Sequence, residues 1–268
     1  MFDPMRFTEP YSAYAGTDTH PYQDICGHLG NFAWVFDGAT MLRGGERAQT
    51  MTVDLVRSYH HSIRAAIEEG ESSLRVIMHR AISEAYEKLC DELGDDLPSA
   101  AGIICHLEGN QLHYLSFGDT TLIVIHENDL DVVTDSSYWS HETSNMKEAY
   151  ALGVSHADIV HAHRAKMNTP DGYWIWSVAP IAVRHANSGS ISVAPGDEIL
   201  LASDGLMRLV DLFHIFTHKE LVSFINEFGF ADTLATLRAA EENDPLCINY
   251  PRMQPMDDAT GLQLKITE

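Results

Sequence analysis

The sequence predicts an α+β domain in which helices cover antiparallel strands. Two long segments, residues 46–69 and 72–93, carry apolar side chains every three or four positions, which is the period of a helix buried on one face. Residues 101–134 contain short apolar runs separated by turn residues, with no room for the crossover helices that a parallel sheet needs. A chain of 268 residues, 45% of them hydrophobic, can bury a sizeable core, so we expect a single domain over residues 1–268.

The two helical segments are expected to form a helical hairpin. Gly70 follows the first and Gly94 follows the second, and glycine is the usual residue just past a helix C-terminus. The strands after them predict a meander, because each apolar run is joined to the next by a tight turn. The predicted strands cover residues 102–107, 111–117, 122–126 and 131–134.

Two stretches lack sustained periodicity and are expected to be mainly loops. Residues 1–30 are rich in Pro, Tyr, Gly and Asp and predict at most one short strand. Residues 140–172 are expected to form a flap-like insertion, with a helix at 140–152 and a polar, histidine-rich loop after it. His161 and His163 would share one face of a strand, which permits a transition metal, although a solvated histidine face is the favoured interpretation.

The C-terminal third predicts further strands and helices. Residues 191–193 and 198–203 flank a Pro-Gly-Asp turn and are expected to pair as a hairpin that delivers Asp204. Thr217 and Glu220 have the spacing of a capping box, which predicts the start of a helix. The remaining predicted elements are helices at 206–216 and 232–242 and an alternating strand at 260–266.

The charge balance excludes several classes of partner. The chain has 39 acidic and 17 basic residues, a formal net charge of −22, so its surface should repel nucleic acid and anionic membranes. Bound divalent cations can reverse this field locally, and the acidic shell would then favour substrates with basic residues near a phosphate. No apolar stretch reaches the roughly 20 residues of a membrane span, and residues 1–10 lack the basic and apolar regions of a secretory signal, so a cytoplasmic location is expected.

Acidic residues recur at the ends of apolar segments. The first such run ends in Asp37-Gly38, and the pattern returns at Asp119 and Asp204, while a fourth acidic site, Asp257, precedes the last apolar segment. Carboxylates at strand ends, beside a glycine carbonyl, suit Mg²⁺ or Mn²⁺, because these ions prefer oxygen ligands. Two such ions about 3.5–4 Å apart can share a bridging water and hold a phosphoryl group for in-line displacement. One acid must then bridge both ions, and Asp37 is the candidate.

The order of these motifs resembles that of the metal-dependent protein phosphatases, the PPM or type 2C family of serine/threonine phosphatases. The similarity spans nearly the whole chain and is closest to divergent, bacterial-type members. The segments similar to family motifs are Tyr22-Gln23-Asp24, Val35-Phe36-Asp37-Gly38, Phe117-Gly118-Asp119-Thr120, Val132-Val133-Thr134-Asp135, Ala202-Ser203-Asp204-Gly205 and Asp257-Asp258-Ala259-Thr260.

The resemblance implies a four-layer α-β-β-α sandwich, with two mainly antiparallel sheets flanked by helices and a metal cluster at one edge. By the same comparison, Asp37 would bridge two ions and the Gly38 carbonyl would bind one of them. Asp204 and Asp257 would complete the shell of the other ion, and with Asp37 they form the implied catalytic set. The further implied ligands are Asp24, through a water molecule, and Asp119, which with Asp204 would hold a third, weaker ion.

Several positions depart from the family pattern. Ala39-Thr40 follow the Asp-Gly motif, where animal members have a histidine assigned as general acid. Thr19 stands where the family has a phosphate-binding arginine, and Gln23 replaces a glutamate. The metal-binding acids are retained, whereas phosphate capture is unassigned. Candidates for it are Arg43, Arg47 and Arg164, although a surface ion pair is the simpler explanation of each.

These features predict a Mn²⁺- or Mg²⁺-dependent phosphomonoester hydrolase that acts on phosphoserine or phosphothreonine in proteins. Metal-activated water would attack phosphorus directly, without a phosphoenzyme. Two alternatives stay open. The substrate could be a small phosphorylated metabolite selected by the flap-like insertion, or the chain could be a catalytically silent scaffold that binds phosphoproteins, which Thr19 and Gln23 favour. Acids merely solvated in turns are a further explanation, which their repetition at strand ends disfavours.

Overall fold

The computed structural model describes residues 5–17, 21–39, 41, 45–94, 96–135, 153, 158, 161, 162, 164–252 and 254–268. Strands in these ranges form two five-stranded sheets. The strands are β1 (Arg6–Ala15), β2 (Ile25–Leu29), β3 (Phe32–Gly38), β4 (Ala100–Glu108), β5 (Gln111–Phe117), β6 (Thr121–Ile125), β7 (Leu130–Val133), β8 (Asn187–Ser192), β9 (Glu198–Ala202) and β10 (Ala259–Thr267).

Each sheet combines strands from distant parts of the chain. Sheet A has the order β1-β10-β9-β6-β7 and sheet B the order β2-β3-β4-β5-β8, and neighbouring strands are antiparallel throughout. The helices are α1 (Gly45–Glu68), α2 (Leu74–Leu89), α3 (Asp204–Asp211) and α4 (His218–Glu242), with short 3-10 helices at Cys90–Glu92 and Pro180–His185.

The side chains of β3 show how the layers form. Val35 belongs to the apolar cluster between the sheets, together with Leu122 and Leu264 of sheet A. Trp34 and Phe36 lie on the opposite face, in a cluster with residues of α1 and α2. Because both faces are covered, the strand is apolar through most of its length instead of alternating with polar residues.

Sheet A is covered on its outer face by α3 and α4. Leu200 of β9 and Ala259 of β10 pack in one cluster with Leu206 of α3 and Phe230 of α4. The order of layers is therefore helices, sheet B, sheet A, helices. This confirms the predicted fold class, an α+β four-layer sandwich of antiparallel sheets flanked by helices.

Most predicted elements are present, with ends that differ by a few residues. The helices predicted at 46–69 and 72–93 correspond to α1 and α2, although α2 ends at Leu89 and a 3-10 turn follows. Strands β4 to β7 match the four predicted strands. The capping box is formed, because the Thr217 hydroxyl accepts from the Glu220 N–H at 3.3 Å and Glu220 Oε2 accepts from the Thr217 N–H at 2.8 Å.

Predictions about strand pairing were wrong in two places. The segments at 191–193 and 198–203 do not form a hairpin, since β8 pairs with β5 in sheet B whereas β9 pairs with β10 and β6 in sheet A. The predicted meander is also divided, because β4 and β5 belong to sheet B and β6 and β7 to sheet A. An apolar run marks a strand, but it does not identify the strand's partner.

Other element predictions need smaller corrections. Residues 1–30 contain two strands, β1 and β2, in place of at most one. The helix predicted at 206–216 ends at Asp211, and the helix predicted at 232–242 is the second part of α4, which is kinked at Gly229. The helix predicted at 140–152 lies outside the described residues, as does much of the flap-like insertion. Among the described helices, none combines the length and apolarity required to cross a membrane.

Candidate metal centre

Strand ends from both sheets meet at one edge of the sandwich. Asp37 lies at the end of β3 in sheet B, and Asp204 follows β9 in sheet A and begins α3. Asp257 lies just before β10, and Asp24 just before β2. Residues of β3 contact β9, and residues of β2 contact β10, so the four acidic segments lie next to one another.

Asp37 and Asp204 form the junction between the two sheets. The backbone N–H of Asp204 donates a hydrogen bond to Asp37 Oδ2 over 3.3 Å. Burial raises the pKa of Asp37 well above its usual range, and the charges of Asp204 and Asp24 raise it further. No ion pair between two described residues includes Asp37 or Asp204. A cation at this junction would relieve the repulsion between the two carboxylates.

Asp24 lies beside this junction and is only 5% exposed. Its Oδ2 accepts a hydrogen bond from Thr260 Oγ1 at 2.9 Å, whereas its buried Oδ1 has no hydrogen-bond partner among the described residues. Burial, followed by the charge of Asp258, raises the pKa of Asp24 to about 8. A buried carboxylate oxygen without a partner, next to other acids, is expected where a cation or its bound water completes the site.

Asp257 is bound to protein donors instead. Its Oδ2 accepts from Arg208 Nη2 at 2.6 Å, and its Oδ1 accepts from Gln254 Nε2 at 3.2 Å and from the Asp258 N–H at 3.0 Å. Burial and the charge of Asp204 raise the pKa of Asp257, while Arg208 acts in the opposite direction. Asp257 therefore lies within electrostatic range of Asp204, but both of its carboxylate oxygens already have protein partners.

Asp258 links the segment before β2 to the segment before β10 by a hydrogen bond. Its Oδ2 accepts a hydrogen bond from the backbone N–H of Gln23 at 2.7 Å. The hydroxyl groups of Tyr22 and Thr260 form a second hydrogen bond between the same segments. Because the Asp258 contact uses the backbone of Gln23, it does not depend on the side chain that departs from the family pattern.

Gly38 and Gly205 allow the acidic segments to approach closely. A Cβ atom on Gly38 would lie 2.5 Å from the carbonyl oxygen of Gln23, and one on Gly205 would lie 1.9 Å from the carbonyl oxygen of Asp258. Both distances are far inside a van der Waals contact, so no other residue fits without displacing backbone. These glycines bring Asp37 towards the Asp24 segment and Asp204 towards the Asp257 segment.

Asp119 lies in the turn between β5 and β6. Its charge is among those that raise the pKa of Asp37, so the two carboxylates are within electrostatic range of each other. Its main-chain carbonyl accepts hydrogen bonds from the hydroxyls of Thr121 at 3.4 Å and Thr134 at 3.3 Å, which fix the turn. The structure thus brings all the predicted acidic residues to the same edge.

The donor set suits Mg²⁺ or Mn²⁺ better than zinc, because the converging groups offer carboxylate and carbonyl oxygens. In the part of the chain that the structure describes, however, no three acidic, histidine or cysteine side chains are already arranged as a metal-binding group. Two of the acids already have protein partners: Asp257 binds Arg208, and Asp24 binds Thr260. The acids fit divalent cations in type and charge, and a complete shell requires some of them to exchange partners.

The structure describes two of the three arginines proposed for phosphate capture, Arg47 and Arg164. Arg47 is on the surface of α1 and pairs with Asp54 at 3.0 Å and with Glu92 at 2.5 Å, as an ordinary surface arginine would. Arg164 lies close to Tyr173. His161 Nδ1 is 3.1 Å from Asp96 Oδ1. The predicted positions outside the described residues are Thr19, Thr40, Arg43 and His163.

Arg208, which binds one of the predicted acids, was not among the residues predicted from the sequence. Its side chain is 5% exposed, and its guanidinium also binds the fully buried Glu241, with Nη1 2.8 Å from Oε1. Burial lowers the pKa of Arg208, but the charges of Asp257, Asp204 and Glu241 outweigh it. A signal was present in the sequence: Arg208 is four residues after Asp204, and this spacing places both on one face of a helix.

Comparison with known proteins gives matches at the level of structure. No family model and no curated protein matches this chain. The catalytic domain of the serine/threonine protein phosphatase PstP, in complex with two manganese ions, matches with a TM-score of 0.59 and 13% identity, over 98% of this chain and 100% of that chain. A serine/threonine phosphatase from S. agalactiae matches with a TM-score of 0.58 and 14% identity, over 98% and 100%. The photosystem II phosphatase PBCP matches with a TM-score of 0.58 and 15% identity, over 96% and 98%.

Proposed function

From the premise that this chain has the fold of the PPM, or type 2C, serine/threonine phosphatases, we propose that it is a Mn²⁺- or Mg²⁺-dependent phosphomonoester hydrolase. The observation that carries this proposal is the junction of Asp37 and Asp204. Two carboxylates from different sheets meet there, and neither forms an ion pair with a described residue. Repelling acids are costly to hold together in a partly buried site, and binding divalent cations is the use that offsets this cost.

The proposed roles of the residues follow the family resemblance. Asp37 and the Gly38 carbonyl would hold the ions on the side of sheet B, and Asp204 and Asp257 on the side of sheet A. The supporting ligands would be Asp24, through a water molecule, and Asp119, which with Asp204 would hold a third ion. When bound, the ions supply Lewis acidity that activates water and offsets the charge of the phosphate.

The protein itself contributes proton control and positioning. Because burial favours the protonated forms of Asp24 and Asp37, cation binding must release protons from these carboxyls. Gly205 and Asp258 hold Asp204 and Asp257 next to each other through close backbone packing. Preorganisation of this kind keeps the ligands within reach before the substrate arrives.

The proposed substrate is a phosphoserine or phosphothreonine protein or peptide with basic residues near the phosphate. The net charge of −22 attracts such a flanking sequence and disfavours acidic ones. A small phosphorylated metabolite is the alternative within the same chemistry. Comparing rates on phosphopeptides with basic and acidic flanks, and on sugar phosphates, separates the two.

The test is hydrolysis of an aryl phosphate and of a phosphoserine peptide with and without Mn²⁺. We expect Asp37→Asn and Asp204→Asn to lower the Mn²⁺-dependent rate at least about a hundredfold, since the ions contribute several kcal/mol of transition-state stabilisation. Asp232→Asn, which changes an exposed acid on α4, is the matched control and should keep the wild-type rate. Unchanged rates in the folded Asp37 and Asp204 variants would contradict the proposal.

A catalytically silent scaffold is the second candidate, and the pairing of Asp257 with Arg208 favours it. If Arg208 never releases Asp257, the centre lacks one of its implied ligands. The two candidates differ in outcome: a silent scaffold binds Mn²⁺ through Asp37 and binds phosphopeptide, but shows no turnover.

A further inference from the structure

We propose, resting on the function proposed above, that Arg208 is a built-in cation that competes with a divalent ion for Asp257. In this view Arg208 is a positioning residue: it acts on the metal centre through Asp257 and does not contact the substrate. It makes the centre asymmetric, with one ion bound tightly at the junction of Asp37 and Asp204 and a second, the ion assigned above to Asp204 and Asp257, bound weakly because coordination by Asp257 requires displacing the guanidinium.

Arg208 forms two ion pairs at the same time. Nη2 of Arg208 is 2.6 Å from Asp257 Oδ2, and Nη1 is 2.8 Å from Glu241 Oε1. The Arg208 side chain is 5% exposed and Glu241 is 0% exposed, so solvent screens this network little. Since the guanidinium stays charged at all relevant pH values, it is a permanent positive charge at the position that an ion bound to Asp257 would approach.

The charges around Arg208 balance one another. Glu241 also pairs with Arg238, and Arg238 Nη2 donates to the main-chain carbonyl of Asp257 at 2.8 Å. Two arginines thus face two acids, a set that is neutral without a metal ion. A divalent ion added at Asp257 would give these four residues an excess of positive charge beside a buried guanidinium, which low-dielectric surroundings make unfavourable.

The neighbouring acids differ from Asp257 in how their negative charge is balanced. We call Asp24, Asp37 and Asp204 the uncompensated half, since no ion pair between described residues includes them. We call Arg208, Arg238, Glu241 and Asp257 the paired half. A divalent ion stabilises the uncompensated half as soon as it binds. It stabilises the paired half only after the Arg208–Asp257 ion pair has broken. The Asp257 side chain is 21% exposed, so an incoming ion can reach it from solvent.

The experiment measures Mn²⁺ binding without substrate, by electron paramagnetic resonance of free Mn²⁺ and by calorimetry. The test variant is Arg208→Met/Glu241→Gln, which removes one charge of each sign and so keeps the net charge of the network at zero, while it frees Asp257 from its ion pair. Arg208→Lys keeps the positive charge. Arg80→Met is the control, because the ion pairs that Arg80 forms with described residues, Glu69 at 2.5 Å and Glu84 at 2.8 Å, lie on the surface.

In the wild type we expect one tight Mn²⁺ ion and a second ion bound more weakly. The double variant should strengthen the weaker site by at least about tenfold, because the competing charge is gone. Arg208→Lys and Arg80→Met should resemble the wild type. Adding Asp257→Asn to the double variant should remove the gain, which assigns the strengthened site to Asp257.

Two results would overturn the inference. Equal affinity for the second ion in the wild type and the double variant would show that Arg208 does not compete. Weaker binding in the double variant would show that Arg208 orients Asp257 for the ion. Either result leaves the proposed function standing as long as the tight ion still depends on Asp37. Absence of any Asp37-dependent Mn²⁺ binding would overturn both proposals.

Discussion

The uncompensated and paired halves of the acidic edge lie side by side and differ in how their negative charge is balanced. In the uncompensated half, Asp37 and Asp204 meet with no ion pair among described residues, and within the described ranges Asp24 keeps a buried oxygen without a hydrogen-bond partner. In the paired half, both oxygens of Asp257 are bound to protein donors, one of them Arg208. A set of converging acids therefore does not by itself determine how many metal ions bind, because the protein's own cations can occupy the same carboxylates.

Removing the internal cation should have the largest effect on stability. Arg208→Met leaves Asp257 and Glu241 without their shared partner, and breaking a buried pair from one side costs about 3–5 kcal/mol. Urea unfolding in EDTA measures this loss, and Arg208→Met/Glu241→Gln should recover part of it. A single variant as stable as Arg80→Met would show that the two halves do not differ in charge balance.

Manganese should stabilise the fold through the uncompensated half. At a concentration of one hundred times the dissociation constant, an ion that binds only the folded state adds about 2.7 kcal/mol to the free energy of unfolding. Thermal unfolding should show this gain in the wild type and in Asp257→Asn, but not in Asp37→Asn. An equal gain in Asp37→Asn would place the ion elsewhere.

The free energy of unfolding of the metal-free protein should depend on pH through Asp24, a member of the uncompensated half. Burial and Asp258 raise the pKa of Asp24 from 3.8 to about 8 in the folded state, so between these values the folded state holds a proton that the unfolded state has lost. The contribution of Asp24 to stability must therefore fall as the pH rises, by at most about 1.4 kcal/mol per pH unit for one group.

Unfolding in EDTA across this pH range tests the effect. Asp24→Asn removes the titrating group and should flatten the decline, whereas Asp232→Asn, at an exposed position, should not. Identical slopes in the wild type and Asp24→Asn would mean that the buried position of Asp24 does not control its proton.

Much of the fold could be predicted from periodicity. The apolar stripes of α1 and α2 and the short apolar runs of β4 to β7 are local patterns. They can be recognised from neighbouring residues without knowledge of the tertiary contacts. The capping box at Thr217 and Glu220 was equally readable, because it is completed within four residues of sequence. The acidic residues were found because each follows or precedes an apolar strand.

What escaped prediction depends on contacts between distant residues. The division of strands between sheets was missed because β8 and β9 look like a hairpin until their partners, β5 and β10, are known. Arg208 was missed because its partners, Asp257 and Glu241, lie 49 and 33 residues further along the chain. A buried arginine inside an amphipathic helix resembles a surface residue until the neighbouring acids are located.

The decisive measurement of the proposed metal centre is anomalous scattering from a crystal soaked with Mn²⁺. We expect a strong anomalous peak within ligand distance of the carboxylates of Asp37 and Asp204, and a weaker peak, or none, at Asp257 while Arg208 remains paired with it. An absence of manganese at Asp37 and Asp204, or a stronger peak at Asp257 than at Asp37, would contradict this expectation.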